Sequence, residues 1–440
     1  MKKNFYFNLP AKIPMKAGIC KSLIITFAFC FCISFYGYSQ SGWVSQTSGT
    51  SNTLYGVFFV DANTGWVVGS SGVILKTTDG GSNWTSQGSG ISDDLNSVFF
   101  IDANTGWAVG DGGKILKTTN GGASWIQQTS GIYKPLYSVF CVDANTGWAV
   151  SGYNDGCDGF YGRIFNTKDG GVSWTNFSPS DKKELFSVNF VNNTMGWAVG
   201  CNGIIWRTID GGTNWSAQTS GTTNTLYSVF FINSSTGWAV GANGTVTLTT
   251  NGGNNWNLQG SGVTNYLYSV YFTSSTTGYA VGSSGTILKS TDGGVIWTSQ
   301  TSGITNSLKS VYFVNSTTGW AVGSGGKILK TTNAGEPNQS PTINISSPHD
   351  GQTFTTSSIT VSGTASDADG SVSLVQVKVN NGSWQNATGT TNWSKSITLQ
   401  SGSNTIYAKS QDNNSAWSTT ASVTVNSTVG VEELSLNNFI

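Results

Sequence analysis

Charged residues make up only 10% of the 440-residue sequence, and histidine and arginine are nearly absent. His349 is the one histidine, and it lies outside residues 41–336, so those residues can supply neither a histidine-based catalytic triad nor a histidine zinc site. Arg163 and Arg207 are the only arginines. The sequence also lacks a phosphate-binding glycine loop and a dinucleotide-binding glycine pattern. We therefore expect no cofactor and no metal site.

Long apolar runs are absent apart from one at residues 23–33. This run follows five lysines and no acidic residue, and small and polar residues come after it, at positions 37–40. A basic start, a short apolar core and a small-residue exit are typical of a secretion signal. We expect residues 1–40 to be this signal, with no transmembrane segment in the mature chain. The mature protein should be secreted or held at the outer-membrane surface.

Basic residues are in deficit once the signal is removed. The remaining chain has 16 lysines and arginines against 21 acidic residues, a net charge of about −5. Proteins that bind nucleic acids or anionic membranes present basic patches, which this balance does not favour. We expect no nucleic-acid partner.

Seven repeats, most of them 41 residues apart, make up most of the chain. A glycine followed by an aromatic residue marks each repeat, and the aromatic residues are Trp66, Trp107, Trp148, Trp197, Trp238, Tyr279 and Trp320. Each repeat holds four β-rich runs separated by Gly, Asn and Asp, such as "LNSVFFI", "GWAVG", "KILKTT" and "SWIQQTS" in the second, and none has a helical period. Four strands at this spacing predict one blade of a β-propeller.

The first tryptophan after the signal predicts how the ring closes. Trp43 lies 41 residues before Trp84, so it occupies the tryptophan position of a fourth strand, whereas the seventh repeat has no such residue. We therefore predict that the N-terminal strand completes the last blade, which leaves no open sheet edge. The predicted fold class is all-β, a seven-bladed β-propeller over residues 41–336 closed by the N-terminal strand and followed by an immunoglobulin-like β-sandwich.

A second motif recurs with the same spacing, Ser/Thr-x-Asp/Asn-x-Gly-x-x-Trp, which is the Asp-box or bacterial neuraminidase repeat. Its Asp or Asn side chain can accept turn N–H groups, its Gly permits positive φ, and its Trp covers a hairpin. We interpret it as a structural turn between the third and fourth strands. The acidic or amide positions are Asp79, Asn120, Asp169, Asp210, Asn251, Asp292 and Asn333, and the tryptophans are Trp84, Trp125, Trp174, Trp215, Trp256 and Trp297, with Trp43 for the last blade.

The combination of "GWAVG", a short turn, "KILKTT" and the Asp-box resembles the photosystem II assembly and stability factors of cyanobacteria and chloroplasts. The resemblance covers roughly residues 41–335 and implies a seven-bladed propeller with Asp-box turns. It also implies binding to an assembling membrane protein, partly through an arginine-rich surface. This chain departs from that pattern, since it has only two arginines.

A different pattern begins after a short linker at residues 337–341. Residues 342–427 hold about seven alternating strands and resemble the bacterial Ig-like modules appended to secreted proteins. Trp384, Trp393 and Trp417 are expected in its core. Residues 428–440, "TVGVEELSLNNFI", resemble the start of a C-terminal sorting signal of the type IX secretion system, which we expect to be truncated here.

The Asp-boxes and the loop aspartates raise two enzymatic interpretations. Asp-boxes occur in sialidases, but a sialidase needs three arginines to hold the substrate carboxylate, and two cannot supply them. A glycoside hydrolase that uses two aspartates is the alternative function. Its candidate carboxylates lie in loops that should share one face, at Asp93, Asp94, Asp111, Asp155, Asp158 and Asp181. Solvated turn residues are the simpler explanation of these positions.

The third repeat carries eight extra residues in "SGYNDGCDGFYGR", residues 151–163, where the other repeats have a short turn. In a propeller, the turns between the second and third strands and the links between blades share one face. Loops on that face often carry ligands. The predicted binding residues are Tyr153, Asp155, Asp158, Phe160, Tyr161, Arg163, Trp206 and Arg207. Cys157 and Cys201 lie in neighbouring blades, so a disulfide between them is one alternative and two free thiols are the other.

The function favoured by these patterns is non-catalytic recognition. We expect a secreted monomer that binds an envelope protein or glycan through its loop face. The glycoside hydrolase stays as the alternative, and a structural spacer without a specific ligand is a third possibility.

Overall fold

The computed structural model describes residues 42–129, 131, 133–152, 157 and 162–429. This part of the chain contains 36 β-strands in nine sheets and six three-residue 3₁₀ turns. Seven sheets have four strands each and form the blades of a propeller, and the other two form an Ig-like sandwich. The predicted fold class is confirmed.

The first strand, β1 (Gly42–Gln46), stands apart from the strands that follow it directly. The next 24 strands form six antiparallel sheets of four consecutive strands. Blades one to three contain β2 (Leu54–Phe59), β3 (Gly65–Gly69), β4 (Ile74–Thr77), β5 (Thr85–Gln87), β6 (Leu95–Phe100), β7 (Gly106–Gly110), β8 (Ile115–Thr118), β9 (Ile126–Gln127), β10 (Leu136–Cys141), β11 (Gly147–Ser151), β12 (Arg163–Thr167) and β13 (Thr175–Phe177). Blades four to six contain β14 (Leu185–Phe190), β15 (Gly196–Gly200), β16 (Ile205–Thr208), β17 (Ser216–Gln218), β18 (Leu226–Phe231), β19 (Gly237–Gly241), β20 (Val246–Thr249), β21 (Asn257–Gln259), β22 (Leu267–Phe272), β23 (Gly278–Gly282), β24 (Ile287–Ser290) and β25 (Thr298–Gln300).

The seventh blade joins the two ends of the propeller sequence. It contains β26 (Leu308–Phe313), β27 (Gly319–Gly323) and β28 (Lys327–Gly335), and β1 pairs antiparallel with β28 as its fourth strand. Trp43 is buried, donates from Nε1 to Gln300 Oε1 at 2.9 Å, and contacts the Phe313 ring edge to face at a centroid distance of 5.9 Å. The innermost strand of each blade contacts those of its two neighbours, and β2 contacts both β6 and β26. The N-terminal strand therefore closes the ring, as predicted.

The glycine–aromatic pairs hold neighbouring blades together. Trp66 stacks on Phe100 of the next blade at a centroid distance of 3.6 Å, and its Nε1 donates to Gly121 O in the next Asp-box at 3.2 Å. Gly65 has to be glycine, because a Cβ there would lie 2.4 Å from the Phe59 ring. The equivalent tryptophans and Tyr279 donate in the same way across the other blade interfaces, so this motif joins each blade to the next.

The third blade departs from this stacking scheme at one buried position. Cys141 stands where the other innermost strands end in Phe, and it packs in a cluster with Trp107. Its thiol is free and buried, and burial raises its pKa. A thiol with a raised pKa is a poor nucleophile, so Cys141 acts as a small core residue.

The Asp-boxes are hydrogen-bonded turns. In the first blade, Asp79 Oδ1 accepts from Asn83 N at 2.9 Å and from Thr77 Oγ1 at 2.8 Å, while Gly81 N donates to Thr77 Oγ1 at 2.8 Å. Gly80 and Gly81 have φ of 69° and 89°, which favours glycine. Trp84 then covers the Phe59 ring edge to face at 5.9 Å. The Asp, Thr and Trp side chains of this Asp-box are therefore engaged in contacts within their own blade.

Acid should weaken these turns selectively. The hydrogen bonds from Asn83 and Thr77 lower the pKa of Asp79 from 3.8 to about 2. Because the folded pKa is the lower one, the contribution of Asp79 to stability is complete above about pH 4 and is lost as the pH falls toward 2. Asp79→Asn should keep the turn, since Asn120 holds the same position in the second blade.

The measurement for this prediction is urea unfolding of the wild type and Asp79→Asn at pH 6 and pH 2.5. The stability advantage of the wild type should shrink at the lower pH. Asn120→Ala provides a control for loss of the turn itself, because its effect should not depend on pH over this range. An equal difference at both pH values would contradict the ionisation argument.

The C-terminal sandwich consists of a three-stranded and a five-stranded sheet. The strands are β29 (Thr342–Ser347), β30 (Thr353–Phe354), β31 (Ser358–Ser366), β32 (Val372–Val379), β33 (Gln385–Asn386), β34 (Asn392–Thr398), β35 (Gly402–Asp412) and β36 (Ala421–Ser427). Trp393 is buried in the core, as predicted. The prediction for Trp384 and Trp417 is wrong, because both are half-buried and lie under the Lys409 ammonium at 4.6 and 3.8 Å.

Candidate functional site

Consecutive turns of an antiparallel blade lie at opposite ends of its strands, which gives the propeller two distinct faces. The Asp-boxes and the turns that join first to second strands share one face, the Asp-box face. The turns that join second to third strands and the links between blades share the other, which we call the loop face. The six 3₁₀ turns on the loop face are Ser70–Gly72, Asp111–Gly113, Cys201–Gly203, Ala242–Gly244, Ser283–Gly285 and Ser324–Gly326.

The second residue of every innermost strand lies at the mouth of the central channel on the loop face. In β2 the first residue, Leu54, is fully buried in the blade, and a bulge between Leu54 and Gly56 takes Tyr55 out of the regular pairing. The same bulge occurs in all seven innermost strands. The seven half-buried side chains at this position, the mouth ring, are Tyr55, Asn96, Tyr137, Phe186, Tyr227, Tyr268 and Lys309.

Four consecutive members of the mouth ring form an aromatic arc. The centroid distances are 5.2 Å from Tyr137 to Phe186, 5.6 Å from Phe186 to Tyr227 and 5.4 Å from Tyr227 to Tyr268. The Lys309 ammonium follows, 3.7 Å from the centroid of the Tyr268 ring. A continuous half-buried aromatic surface of this kind is available to a ligand and unusual on a solvated loop.

Carboxylates lie against the other side of the mouth ring. Asp94 accepts from the Tyr55 hydroxyl at 3.4 Å and from Ser71 N at 2.9 Å. Asp111 Oδ1 accepts from Asn96 Nδ2 at 3.0 Å. Burial raises the pKa of Asp111, and the neighbouring Asp94 and Asp93 raise it further, against the opposing effect of the Asn96 hydrogen bond. This side of the mouth is therefore acidic and partly desolvated.

A second ring lines the channel toward the Asp-box face. It is formed by the fifth residue of each innermost strand, namely Phe58, Phe99, Phe140, Asn189, Phe230, Tyr271 and Tyr312. Neighbouring aromatic members lie about 5 Å apart, for example 4.9 Å from Phe58 to Phe99 and 5.0 Å from Tyr271 to Tyr312. Asn189 uses its side chain to accept from Phe231 N at 3.0 Å. The channel below the mouth is thus predominantly apolar.

Five of the eight binding residues that the sequence suggested belong to the part of the third-repeat segment that the structure does not describe. Tyr153, Asp155, Asp158, Phe160 and Tyr161 lie outside the described residues.

The three remaining candidates have local partners. Arg163 Nη1 donates to Asn176 Oδ1 of the adjacent strand at 3.3 Å. Arg207 Nη1 donates to Asn254 Oδ1 in the next Asp-box at 3.0 Å, so it joins two blades on the face opposite the mouth. The prediction for Trp206 as a binding residue is wrong, because its indole is buried and packs against Phe177.

The two cysteines of the third and fourth blades are joined. Cys157 and Cys201 form a disulfide with a Cα–Cα distance of 5.5 Å, which resolves the alternative left open above. Lys183 Nζ donates to Cys157 O at 3.1 Å, and Cys157 Sγ lies 3.4 Å from Thr225 Oγ1. The extra segment of the third repeat is therefore tied to the loop-face turn of the fourth blade.

The carboxylates considered for hydrolysis have structural partners. Asp93 pairs with Lys114 at 3.6 Å. Asp94 accepts a hydrogen bond from Ser71 N, and Asp111 accepts one from Asn96 Nδ2. Asp181 Oδ1 accepts from Lys183 N at 3.3 Å. These contacts account for the four described candidates, while Asp155 and Asp158 lie outside the described residues.

Among the residues that the structure describes, no cluster of three or more His, Cys, Asp or Glu side chains is arranged to hold a metal ion. Within the same residues, no helix is long and apolar enough to cross a membrane.

The mouth ring is the feature that sequence reasoning missed. A signal for it was present, because the second residue of the "LYSVFF" run is aromatic in five of the seven repeats. Strict alternation from the buried leucine makes that position solvent-facing, but it does not show that the seven positions meet around one channel.

Comparisons with known proteins agree with this architecture. The family model described as photosynthesis system II assembly factor YCF48 matches residues 37–175 and 254–357, and a bacterial Ig domain model matches residues 341–408. No curated protein matches the chain.

Solved structures of propellers are similar in fold. YCF48 from Cyanidioschyzon merolae is 20% identical with a TM-score of 0.56, and the match covers 66% of this chain and 98% of that one. A structure of YCF48 bound to D1 peptide is 22% identical with a TM-score of 0.57, covering 66% and 95%. The GH74 xyloglucanase from Xanthomonas campestris is 11% identical with a TM-score of 0.53, covering 86% and 69%. Because the first family model matches more than half of the chain, the protein belongs to the YCF48 family of photosystem II assembly factors, and its propeller is followed by a bacterial Ig domain.

Proposed function

We propose that this protein is a non-catalytic binding protein whose mouth ring holds a segment of a partner protein. The observation that carries the proposal is the aromatic arc from Tyr137 to Tyr268, four half-buried rings at one opening of the propeller. Aromatic residues concentrate binding energy at protein interfaces because they offer a large apolar area at a low cost in side-chain entropy.

Two further observations support a protein partner. A family member has been solved with a bound D1 peptide, so the family scaffold can hold a peptide. The described carboxylates of the loop face are engaged in turns and side-chain pairs, which does not favour hydrolysis.

The proposed location is outside the cytoplasm, at the cell envelope. The Cys157–Cys201 disulfide supports an oxidising compartment. The composition of residues 1–40 supports export, as argued from the sequence.

The test places a photo-crosslinker in the mouth. Tyr227 is replaced by benzoylphenylalanine in the full chain, which is irradiated with detergent-solubilised cell envelope, and the crosslinked peptides are sequenced. We expect one recurring peptide segment joined at position 227. Benzoylphenylalanine at Ile126, an exposed position on an outer strand, provides the matched control and should not capture that segment.

Competition then measures the contribution of the arc. The identified segment should bind Tyr227→Ala about 30-fold more weakly than the wild type, as expected for about 2 kcal/mol at an interface hot spot. Equal affinity would contradict the proposal, as would crosslinking only to polysaccharide at position 227.

A further inference from the structure

The two sides of the mouth ring differ, because one is aromatic and the other is lined by carboxylates. One side is the aromatic arc of the third to sixth blades. The other side consists of Tyr55 and Asn96 of the first two blades, with Asp94 and Asp111 bonded behind them. An opening that is aromatic on one side and acidic on the other can contact both the stem and the head of a long cationic side chain.

Lys309 shows within the same ring that the aromatic wall accepts an ammonium group. Its Nζ lies 3.7 Å from the Tyr268 centroid, and the side chain is half-buried. An ammonium at this distance is attracted by the negative face of the ring. Tyr227, Phe186 and Tyr137 continue the same half-buried aromatic wall.

Charge on the acidic side favours a cationic ligand over an anionic one. Asp93, Asp94 and Asp111 lie together there, and Lys114 is paired with Asp93 at 3.6 Å. The remaining two carboxylates repel each other in a partly desolvated place, and a cation would relieve that repulsion. An acidic partner segment would instead add to that repulsion.

We propose that the mouth ring recognises a lysine or arginine side chain of an extended partner segment. The aliphatic stem packs on the aromatic arc, and the charged head faces Asp94 and Asp111. This inference rests on the proposed function and adds the chemical class of the residue that the partner inserts.

The test uses a displayed library of random hexapeptides selected on the immobilised full chain. Asp94→Asn/Asp111→Asn removes both charges but keeps an acceptor oxygen for Ser71 N and Asn96 Nδ2. Asp61→Asn/Asp102→Asn removes two charges on the Asp-box face and is the matched control. Those two carboxylates cap turns in which Asn192 and Asn233 serve in other blades, so the control should fold normally.

We expect the wild type and the control to enrich lysine and arginine, and the Asp94→Asn/Asp111→Asn variant to lose most of that enrichment. An arginine peptide from the selection is then compared with the same peptide carrying citrulline, the neutral isostere of arginine. The wild type should bind the citrulline peptide about tenfold more weakly, which is the loss expected for a charge-assisted contact.

The outcomes separate this inference from the proposed function. If peptides bind, Tyr227→Ala weakens them, and citrulline binds as well as arginine, then the inference is overturned while the proposed function stands. If no selected peptide is weakened by Tyr227→Ala, then both are overturned.

Discussion

Removal of β1 is expected to destabilise the propeller more than any single surface substitution. The strand supplies the outer edge of the seventh blade through its pairing with β28 and buries Trp43 against Phe313 and Tyr279. Loss of the tryptophan alone should cost about 3–5 kcal/mol, the usual range for truncating a large buried aromatic residue. Deletion of the strand adds exposure of the β28 edge, which would then be free to pair with another chain.

Urea unfolding of three variants checks this expectation. Trp43→Ala should lower the free energy of unfolding by the amount above, and deletion of residues 42–46 should lower it further. Val44→Ala is the control on the same strand, because Val44 is 49% exposed and its loss should cost little. A synthetic peptide of residues 41–50 added to the deletion variant should restore part of the stability. Unchanged unfolding of the deletion variant would refute closure by β1.

The closure of the ring could be predicted because it follows from the regular spacing of the repeat tryptophans. Trp43 precedes Trp84 by one repeat length, and the seventh repeat lacks its own tryptophan. The Asp-boxes could be interpreted for a related reason, since a turn such as Thr77–Gly81 is held by hydrogen bonds between residues at most four positions apart. The motif alone therefore predicts these local hydrogen bonds.

The binding surface could not be predicted in the same way, because it depends on how seven separate segments meet. A bulge after Leu54 takes Tyr55 out of the regular pairing at the channel mouth, and no local sequence pattern shows that bulge. Trp206 illustrates the converse error. Its departure from the repeat sequence predicts a ligand-binding residue, but it is a larger residue at a core position where Leu75 and Leu116 stand in other blades.

Loss of the Cys157–Cys201 disulfide is the second change for which we expect a large effect, namely a lower free energy of unfolding. The bond closes a loop of 44 residues that spans the boundary between the third and fourth blades. Constraint of a loop of this length in the unfolded chain corresponds to about 4 kcal/mol by the loop-entropy relation. Cys157→Ser/Cys201→Ser should therefore unfold at a lower urea concentration than the wild type, and a reductant should shift the wild type to the same midpoint.

The reductant also supplies the internal control, because the double variant keeps Cys141 and has no disulfide among its described residues. Its unfolding should be the same with and without reductant. The crosslinking test of the mouth can be repeated on the double variant, since Cys201 lies in the loop-face turn next to Glu184, two residues before the mouth residue Phe186 in the chain. If capture at position 227 persists while stability falls, the bond supports the fold and the mouth ring binds independently of the third-blade segment. If capture is lost under conditions where the protein remains folded, the tethered segment takes part in holding the partner.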